Sequence, residues 1–467
     1  MARYTLTFRK DIVTEVEIDE KNLLFKADPI RTNRRPPDQG KMIEDALAHP
    51  IGSGRLEERL KPDQSVVILV DDITRPTPTA DILPHVLEKV HAAGIPESAV
   101  TLIMAMGTHR PMTGEELEIK VGRRILDTYP VLNRDYRDHS KFVPFGETVS
   151  GTLIEVDREV LEADFVIALG NIVPHISAGW GGGAKMILPG ICSQKTTDMM
   201  HLMACIVQPV LQVIGTVDNK PRHEMEDIAK RVGLDFIVNT VLDEDHNLLG
   251  VFAGDFVQAH RAGVELAEQV MVVPIPQQAD ILIVSANPCH FDYWQGVKPY
   301  AYCHRAVREG GVIIFLLNGT EGLCGDAPTH EETVRKYLLH SFEDLKAAVD
   351  RGEVEDIVGL NVPMYHSTLR HRVKTFCVTN HMSRRDIDAM GFESAPSVQE
   401  ALESAYEILG RDAKVGIIPY GGETLVRMED GSEPWMVETK KPQAESARVK
   451  STKAKDDHSN RPQKTSR

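Results

Sequence analysis

The sequence predicts an α/β protein made of two α/β domains with mainly parallel sheets and a cleft for the functional site between them. The chain has 467 residues, which is too long for one simple core and fits two or three domains. Short, continuously apolar runs are typical of strands buried on both faces. These runs alternate with amphipathic helical segments, and that order implies parallel sheets covered by helices.

The first half of the chain begins as a β-hairpin and continues as strand–helix repeats. Apolar and polar residues alternate in Tyr4–Phe8 and Ile12–Ile18 around an Arg-Lys-Asp turn, which predicts a hairpin. A loop rich in Pro and Arg follows over Asp28–Gln39. The elements predicted next are the strand Val66–Val70, the helix Thr79–Ala93, the strand Val100–Met106, the helix Thr113–Val121 and the strand Phe165–Leu169.

A Pro- and Gln-rich break at Pro274–Gln278 divides the chain, and the same rhythm restarts after it. We therefore expect an N-terminal domain over residues 1–274, a C-terminal domain over residues 275–436 and a basic disordered tail over residues 437–467. The elements predicted after the break are the strand Ile281–Val284, the helix Tyr300–Glu309, the strand Val312–Leu317, the helix Glu332–Leu338, the strand Thr375–Thr379, the helix Ser397–Leu409 and the strand Val415–Pro419.

The charge of the chain is distributed unevenly. The formal net charge is −16, yet the last 28 residues hold nine Lys or Arg and only three Asp or Glu. The body of the protein is therefore more acidic than the total suggests, and it repels phosphate backbones. Aromatic residues make up 6% of the chain, which disfavours a stacking platform for single-stranded nucleic acid. We expect no nucleic-acid partner and a solvated tail, with contact between the tail and an anionic surface as the alternative.

Cysteine usage and the N-terminus indicate the compartment. The six cysteines form no Cys-x-x-Cys pair, which argues against a zinc ribbon and against a secreted disulfide scaffold. The segment Met1–Asp11 is polar and has no apolar signal-peptide core. Apolar runs such as Val66–Val70 are far shorter than a bilayer requires. We therefore expect a cytoplasmic protein without a membrane partner.

Ionisable residues stand directly after three predicted strands of the first domain. Asp71–Pro76 follows the first strand, Gly107–Pro111 the second and Gly170–His175 the third. A similar glycine turn, Tyr420–Thr424, follows the last predicted strand of the second domain. Open α/β sheets bind ligands at the carboxyl ends of their strands. A histidine at one such turn is most often structural, but three ionisable turns at equivalent strand ends favour one shared site.

The segment Ser177–Lys185 is the most informative part of the chain. Four of the five residues 179–183 are glycines, and such a backbone can turn its N–H groups toward an anion. Lys185 adds either a positive charge or an amine nucleophile. The segment is not a Walker A loop, because Ala184 stands in place of the glycine before the lysine and Met186 in place of the Ser or Thr after it. A flexible loop is the alternative, although it fits a Trp and a Lys poorly.

Two further segments carry candidate site residues. His201 lies in Thr196–Ala204, a Met-rich segment with a helical pattern. A lone histidine on such a helix is usually packed or capping, and as a metal ligand it needs softer partners. Gln295 and Lys298, within Tyr293–Lys298, can hold a carboxylate, with a surface loop as the alternative. The Tyr and Trp that open this segment either line a pocket or pack between the domains.

Together these motifs resemble the nickel-pincer-nucleotide lactate racemase family. The segment Pro174–Lys185 is the most specific part of the resemblance, which runs in order over most of the chain outside the tail. The motifs that carry it are Asp72–Pro76, Gly107–Pro111, the stretch Gly170–Gly190, His201, Gln295 and Lys298.

The resemblance implies a two-domain α/β enzyme with its active site in the cleft and a cofactor bound by the N-terminal domain. The cofactor is the nickel-pincer nucleotide, Ni(II)-pyridinium-3,5-bisthiocarboxylic acid mononucleotide, supplied by separate cofactor-synthesis enzymes. The resemblance assigns His201 as the nickel ligand and Lys185 as the residue bonded to a cofactor arm. It assigns the remaining cofactor contacts to Asp72, Ile73, Thr74, Arg75, Gly181, Gly182 and Gly183. It assigns the catalytic acid/base pair to His109 and His175, and the substrate contacts to Arg75, Gln295 and Lys298.

The reaction implied by the resemblance is racemisation or epimerisation at C2 of a 2-hydroxy acid, either lactate or a larger one. The α-hydrogen leaves as a hydride and gives a planar 2-keto acid, which can be reduced on either face. Because each enantiomer presents its hydroxyl to a different side, each needs its own acid/base group, and histidine can serve in both directions. Arg75 and Lys298 hold the carboxylate in this scheme.

Two other functions stay open on the sequence alone. One is a non-racemising family member that acts as a nucleotide- or metal-binding enzyme. The other is a protein that binds a hydroxy acid without turnover. The joint presence of His109, His175, Lys185 and His201 favours the racemase, because a pure binding protein has no need of two acid/base histidines.

Overall fold

The computed structural model describes residues 1–29, 38–207 and 210–433. Most of the predicted loop Asp28–Gln39 and the predicted tail over residues 437–467 lie outside the described residues. Strands and helices alternate along most of the described chain, and the larger sheets are almost entirely parallel. The predicted α/β fold class is confirmed.

Twenty strands and sixteen α-helices make up the described part of the fold. The strands are β1 (Ala2–Arg9), β2 (Ile12–Ile18), β3 (Leu23–Lys26), β4 (Val66–Val70), β5 (Val100–Met104), β6 (Val131–Asn133), β7 (Phe142–Glu147), β8 (Leu153–Asp157), β9 (Phe165–Asn171), β10 (Pro174–His175), β11 (Gly179–Trp180), β12 (Leu234–Leu242), β13 (Leu248–Gly254), β14 (Val272–Ile275), β15 (Ala279–Ser285), β16 (Val307–Leu316), β17 (Lys374–Val378), β18 (Glu393–Ser394), β19 (Val415–Ile418) and β20 (Leu425–Met428). The helices are α1 (Gln39–Ala48), α2 (Leu56–Arg59), α3 (Thr79–Ala92), α4 (Gly114–Val121), α5 (Arg123–Thr128), α6 (Arg158–Glu162), α7 (Gln194–Leu202), α8 (Val210–Val213), α9 (Lys220–Val232), α10 (Gln258–Met271), α11 (Tyr293–Tyr302), α12 (Glu331–Tyr337), α13 (Phe342–Asp350), α14 (Ile357–Arg370), α15 (Arg384–Ala389) and α16 (Val398–Leu409). None of the helices in the described ranges is long and apolar enough to cross a bilayer.

Six strands form the first sheet, in the order β13–β12–β9–β4–β5–β6. All neighbours are parallel except β12 and β13, which pair antiparallel. Every residue of β4 is buried: Val66, Ile68 and Val70 pack into the core on one face, and Val67 and Leu69 into the core on the other. Burial on both faces explains why this strand is a continuous apolar run.

The second sheet also has six strands, in the order β18–β17–β16–β15–β19–β3, and it is parallel throughout. In its central strand β15, Ile281 and Ile283 pack toward the β1–β2 hairpin and α16. Leu282 and Val284 point to the opposite face and pack toward α11 and α14. The strand therefore alternates between two apolar layers, as strand geometry requires.

The first strands of the chain belong to the second sheet. β3 pairs with β19, near the other end of the described chain. The β1–β2 hairpin covers one face of this sheet with Leu6, Phe8, Val16 and Ile18. The division of the chain at residue 275 stays a prediction, and the sheets do not follow it at the N-terminus.

The predicted helix Tyr300–Glu309 is wrong in position. The structure has α11 from Tyr293, and the strand β16 begins at Val307. The helix starts early because the side chain of Asp292 caps it by accepting a hydrogen bond from the backbone N–H of Gln295 at 2.9 Å. The segment of Gln295 and Lys298 is therefore a helix with a buried face rather than a surface loop.

Candidate active site

A cavity of about 100 Å³ lies beyond the carboxyl ends of the parallel strands, where ligands of α/β sheets bind. Residues that follow β4, β5 and β9 line it from the first sheet, and α11, which follows β15, lines it from the second. The predicted site residues on its wall are Asp72, Arg75, His109, His175, Gly181, Gly182, Lys185, His201, Gln295 and Lys298. Ile73 and Thr74 line a neighbouring cavity, and Gly183 is buried against His260.

His109 lies beside two carboxylates. Its Nδ1 is 3.2 Å from Oδ2 of Asp72 and 3.5 Å from Oδ2 of Asp326. These neighbours favour the ring proton on Nδ1 and leave Nε2 as a proton acceptor. Burial opposes the charge of Asp72, but His109 and Arg75 lower the pKa of its carboxyl well below the usual value. Asp72 therefore stays ionised beside His109.

His175, at the end of β10, is held differently. Its Nδ1 accepts a hydrogen bond from the backbone N–H of Ser177 at 3.1 Å. The neutral ring therefore carries its proton on Nε2. Burial lowers the pKa of His175 well below its usual value, and the nearby positive charges of Lys298 and Arg75 act in the same direction. The two histidines thus differ, because His109 offers a proton acceptor and His175 offers a hydrogen-bond donor.

Two buried side chains on α9 and α10 hold the glycine-rich loop. The guanidinium of Arg222, which is fully buried, donates to three carbonyl oxygens of the loop, those of Ala178, Trp180 and Gly182. His260 donates through Nε2 to the carbonyl oxygen of Gly181 at 2.8 Å. Four loop carbonyls are thereby tied to the helices, so the loop before Lys185 is fixed rather than flexible.

Two backbone N–H groups of the loop are also paired within the protein. Gly181 N–H donates to the carbonyl of Val173, and Gly183 N–H donates to Oδ1 of Asn239, each at 2.7 Å. A Cβ on Gly182, whose φ is +70°, would lie 2.6 Å from the same Asn239 oxygen, so close packing requires glycine there. The N–H groups of Gly181 and Gly183 are therefore already paired within the protein. The prediction that the loop turns its N–H groups toward an anion is wrong for these two groups. Contact of the loop with a cofactor stays a prediction.

Lys185 and His201 are half-buried on the same cavity. Removal from water, next to Arg75 and Lys298, lowers the pKa of Lys185 well below its usual value, which favours the neutral amine. His201 donates from Nδ1 to the carbonyl oxygen of Thr197 at 3.0 Å, and removal from water lowers its pKa to about 3. Its Nε2 therefore keeps a free lone pair, the form in which histidine binds metals. Across the described ranges, no three His, Cys, Asp or Glu side chains are grouped to hold a metal ion.

The predicted substrate contacts lie together. Lys298 Nζ donates to Oε1 of Gln295 one turn earlier in α11, and Gln295 Nε2 donates to Oδ2 of Asp326 at 2.6 Å. Burial opposes the charge of Arg75, but the Asp72 carboxylate keeps the pKa of Arg75 above its usual value. Removal from water and the charge of Arg75 lower the pKa of Lys298 to about 8. At neutral pH the cavity therefore presents two cations to a carboxylate.

Sequence reasoning missed the residues that support this site. Oδ2 of Asp326 faces both His109 and Gln295, and Asp292 accepts hydrogen bonds from the backbone N–H groups of Asp326 and Gln295. Arg222, which ties down the glycine loop, is equally absent from any motif. The one signal available in the sequence was Asp292, because an Asp at this position is a typical N-terminal cap and indicates that a helix starts before Gln295.

The two aromatic residues that open α11 take different places. Trp294 lines the cavity and stacks on His330 with 5.1 Å between ring centroids. Tyr293 packs in the core, and its hydroxyl lies 2.6 Å from Nδ1 of His366. Trp294 therefore lines the pocket, whereas Tyr293 packs against aromatic rings that all belong to the predicted second domain, rather than between the domains.

Comparison with known families agrees with the motifs. A sequence model of the lactate racemase N-terminal domain matches residues 10–212, and one of the lactate racemase C-terminal domain matches residues 275–426. The chain belongs to the lactate racemase family. The predicted resemblance is thereby confirmed.

Two lactate racemases are similar to the chain over most of its length. The lactate racemase of Lactiplantibacillus plantarum is 30% identical over 436 residues, which cover 91% of this chain and 100% of that relative. The lactate racemase of Thermoanaerobacterium thermosaccharolyticum is 29% identical over 416 residues, which cover 87% of this chain and 94% of that relative. As a member of the lactate racemase family, the protein is an isomerase.

Solved structures show the same fold. The lactate racemase apoprotein of T. thermosaccharolyticum matches with a TM-score of 0.82 at 26% identity, covering 91% of this chain and all of that one. A Thermotoga maritima protein matches with a TM-score of 0.67 at 19% identity, covering 85% of this chain and 99% of that one. The first match confirms the class of two α/β domains predicted for this lactate racemase family member.

Proposed function

We propose that this protein racemises a 2-hydroxy acid of the lactate type at C2 through a 2-keto acid. The observation that carries the proposal is one cavity that brings two differently held histidines, His109 and His175, together with the cations Arg75 and Lys298. The cations suit a carboxylate, and the histidines suit a hydroxyl proton. The names of the two curated relatives support lactate as a substrate.

The donor groups on the cavity fit the nickel-pincer nucleotide. His201 presents an unprotonated Nε2, so we assign it as the protein's nickel ligand, with the soft ligands coming from the nucleotide. The lowered pKa of Lys185 favours its neutral amine, the form that bonds to a thiocarboxylate arm. When bound, the nucleotide would supply an electron-poor centre suited to reversible hydride chemistry at C2 of the substrate. Asp72 and Arg75 remain proposed contacts to it.

Arg75 and Lys298 position the substrate. In the proposed complex both cations bind the carboxylate of the 2-hydroxy acid through charge-assisted hydrogen bonds. Gln295 accepts a hydrogen bond from Lys298 and thereby limits the positions of its ammonium group. With the carboxylate fixed, the hydroxyls of the two enantiomers point to different histidines.

The two histidines exchange the hydroxyl proton. His109, whose Nδ1 lies 3.2 Å from Oδ2 of Asp72, takes the proton of one enantiomer at Nε2. His175 carries its ring proton on Nε2, and this N–H donates a hydrogen bond to the oxygen of the other enantiomer, while transfer of a proton to that oxygen needs the doubly protonated ring. For His175 to act as a base, its ring has to turn and release the N–H of Ser177, because a protonated Nε2 cannot accept another proton.

Racemisation in heavy water tests the proposal. If the α-hydrogen moves as a hydride and returns, L-lactate converts to D-lactate while keeping its C2 proton. Proton NMR of the C2 signal, combined with chiral chromatography, measures both quantities in one sample. Conversion accompanied by full deuterium uptake at C2 would show carbanion chemistry and would contradict the proposed hydride path.

Histidine variants test the assigned roles. Because a complete turnover needs both half-reactions, His109→Ala and His175→Ala should each slow racemisation in both directions by roughly 10²–10⁴-fold. Each variant should still oxidise one enantiomer, which is detectable as transient 2-keto acid. His223→Ala, on the exposed side of α9, is the control and should keep its rate. A near-native rate in either active-site variant removes that residue from the mechanism.

We also propose that separate cofactor-synthesis enzymes supply the nucleotide. Protein from a host that contains them should carry a covalent adduct on Lys185, seen by intact-mass spectrometry, and a Lys185→Ala variant should lack it. Protein from a host without these enzymes should carry no adduct and show no activity. An adduct of the same mass on the Lys185→Ala variant would contradict the attachment site.

A further inference from the structure

Asp326 connects two parts of the active site that have different proposed roles. Its Oδ2 lies 3.5 Å from Nδ1 of His109 and accepts a hydrogen bond from Nε2 of Gln295 at 2.6 Å. Among the described residues, both of these partners line the active-site cavity, whereas Asp326 does not. Any effect of Asp326 on the reaction therefore passes through His109 or Gln295 rather than through contact with the substrate.

The backbone of Asp326 is fixed on both sides. Its N–H donates to Oδ2 of Asp292, the cap of α11, at 2.9 Å. Its carbonyl oxygen accepts a hydrogen bond from the backbone N–H of Arg110, the residue after His109, at 3.3 Å. The residue is only 6% exposed. The carboxylate is thus held between the turn that carries His109 and the helix that carries Gln295.

The contact with His109 is electrostatic. Nδ1 of His109 is buried and has no hydrogen-bond partner within the described ranges, although carboxylate oxygens of Asp72 and Asp326 lie 3.2 Å and 3.5 Å away. His201 also faces this ring and is neutral at neutral pH, since removal from water lowers its pKa to about 3. When Nε2 of His109 takes the hydroxyl proton, the ring becomes a cation and the O–H electron pair stays on the substrate oxygen. Carboxylates at these distances in a buried site stabilise that cation.

The two carboxylates beside His109 differ in their other neighbours. The charge of Asp72 is shared with the guanidinium of Arg75. The cation near Asp326 is Arg110, and its guanidinium already makes two hydrogen bonds to the carboxylate of Glu116, at 2.7 Å and 2.8 Å. The negative charge of Asp326 is therefore the less compensated of the two.

The contact with Gln295 sets the orientation of its side-chain amide. Such an amide has one donor end and one acceptor end. Nε2 of Gln295 donates to Asp326, which turns Oε1 toward Lys298, and the ammonium of Lys298 donates to it. The reversed amide would set its NH₂ group against the ammonium and its oxygen against the carboxylate of Asp326, and both contacts would be repulsive. Asp326 thereby fixes the group that holds Lys298.

We propose that Asp326 is a positioning residue of the active site: its charge stabilises the protonated ring of His109, and its hydrogen bond fixes the amide of Gln295. This inference rests on the proposed function, because it takes His109 as the acceptor of the hydroxyl proton from one enantiomer. One carboxylate outside the cavity thereby supports both proton transfer and binding of the substrate carboxylate.

Asp326→Asn separates the two roles, because its side-chain oxygen can still accept from Gln295 while the charge beside His109 is lost. On the loaded enzyme, rapid-quench measurement of the pyruvate formed in one turnover follows L-lactate and D-lactate separately. The variant should slow by ~10-fold the enantiomer whose oxidation His109→Ala also blocks, and it should change the other by less than about twofold. Equal slowing of both enantiomers, or slowing of neither, would overturn the proposal, because a general disturbance of the site acts on both.

Asp326→Ala removes both roles and tests the Gln295 contact. KM for lactate should rise by about 10-fold in this variant but stay within about twofold of wild type in Asp326→Asn. Combining Asp326→Ala with Gln295→Ala should raise KM by clearly less than the product of the two single effects, since both changes remove the same hydrogen bond. Independent effects on KM would overturn the proposed role toward Gln295.

Asp412→Asn is the matched control, because it makes the same chemical change at an exposed position after α16. It should leave KM and both half-reactions unaltered. Circular dichroism and the visible absorbance of the cofactor show that each variant is folded and loaded. Wild-type protein that forms no pyruvate from either enantiomer would contradict the proposed function itself, whereas equal behaviour of Asp326→Asn and Asp412→Asn would overturn only the present inference.

Discussion

The ring of His201 donates its Nδ1 proton to the carbonyl of Thr197, so only Nε2 is left for a metal. Replacing His201 by Ala should therefore lower the nickel content of the loaded protein by ~10-fold or more. Metal analysis by mass spectrometry, normalised to protein, measures this content. His223→Ala, which removes a histidine that is 58% exposed, should not change it. Full nickel content in the His201 variant would exclude this histidine as the ligand.

If Lys298 binds the substrate carboxylate as proposed, substrate binding should depend on pH. The pKa of this lysine is lowered to about 8 by removal from water and by the charge of Arg75. Below that pH the ammonium would bind the carboxylate, and above it the charge would be lost. KM for the 2-hydroxy acid should then rise with pH above about 8, approaching ~10-fold per pH unit. Lys298→Arg keeps its charge in this range, so its KM should stay nearly flat to pH 10. An equal rise in both proteins would exclude Lys298 as the titrating group.

The residues proposed to carry the chemistry stand in local motifs of the sequence, but the residues that contact them could not be predicted. His109 and His175 follow strands in turns with Gly and Pro, and this pattern is visible within a few residues of sequence. Asp326, by contrast, reaches His109 across more than 200 residues, and no spacing rule connects them. The tautomers of the histidines were equally hidden, because a backbone N–H or a distant carboxylate sets them.

At the scale of one element, the glycine loop depends on Arg222 of α9. Replacing Arg222 by Met would remove the side-chain donor of three buried carbonyls, those of Ala178, Trp180 and Gly182, although Gly182 would keep its hydrogen bond from the backbone N–H of Lys185. We expect the free energy of unfolding to fall by about 2–4 kcal/mol, since each unsatisfied buried group costs roughly 1–3 kcal/mol and the loop can relax in part. Urea denaturation measures the change.

The same variant should also carry less adduct on Lys185, because the loop positions that amine. Arg231→Met is the matched control on α9, since the Arg231 side chain is 35% exposed. It should alter stability by less than about 0.5 kcal/mol. Equal stability of the two variants would show that Arg222 does not fix the loop.

Among the elements, strands buried on both faces were predicted best. β4 matches its apolar run residue for residue, because both of its faces meet an apolar core. The helix α11 was misplaced because its helical pattern is broken by Pro299 and its start depends on the cap at Asp292. The sequence did not predict β12, because polar residues such as Asn239 interrupt its apolar run. The side chain of Asn239 accepts a hydrogen bond from the backbone N–H of Gly183, which explains a polar residue at this position.

At the scale of the whole molecule, the second sheet depends on the N-terminus. Removing residues 1–18 would expose the apolar face that Leu6, Phe8, Val16 and Ile18 cover. Each buried side chain of this kind contributes roughly 1.5–3 kcal/mol, and four together approach the ~5–15 kcal/mol that stabilises a whole folded protein. The shortened chain should therefore aggregate or unfold, as seen by size-exclusion chromatography and circular dichroism.

A point change on the same hairpin provides the control for that deletion. Val13 is 58% exposed, so Val13→Asp should leave the protein folded. If the shortened chain stayed folded, with an unchanged elution profile and melting temperature, the hairpin would not contribute to the hydrophobic core of the second sheet. The sequence predicted this hairpin but not its location. Alternation of apolar and polar residues shows which face of a strand is buried, but it does not show which other element packs against that face.

The pairing of β3 with β19 also sets an order of events during synthesis. About 390 residues separate the two strands, and ribosomes add roughly 5–20 residues per second. The N-terminal strands therefore emerge some 20–80 s before the edge they join exists. Over that interval the first sheet can fold and bury its own core. The apolar side chains of Leu6, Phe8 and their neighbours stay exposed to water during this time. Nascent chains of this protein thus expose a short hydrophobic hairpin to chaperones until translation is nearly finished.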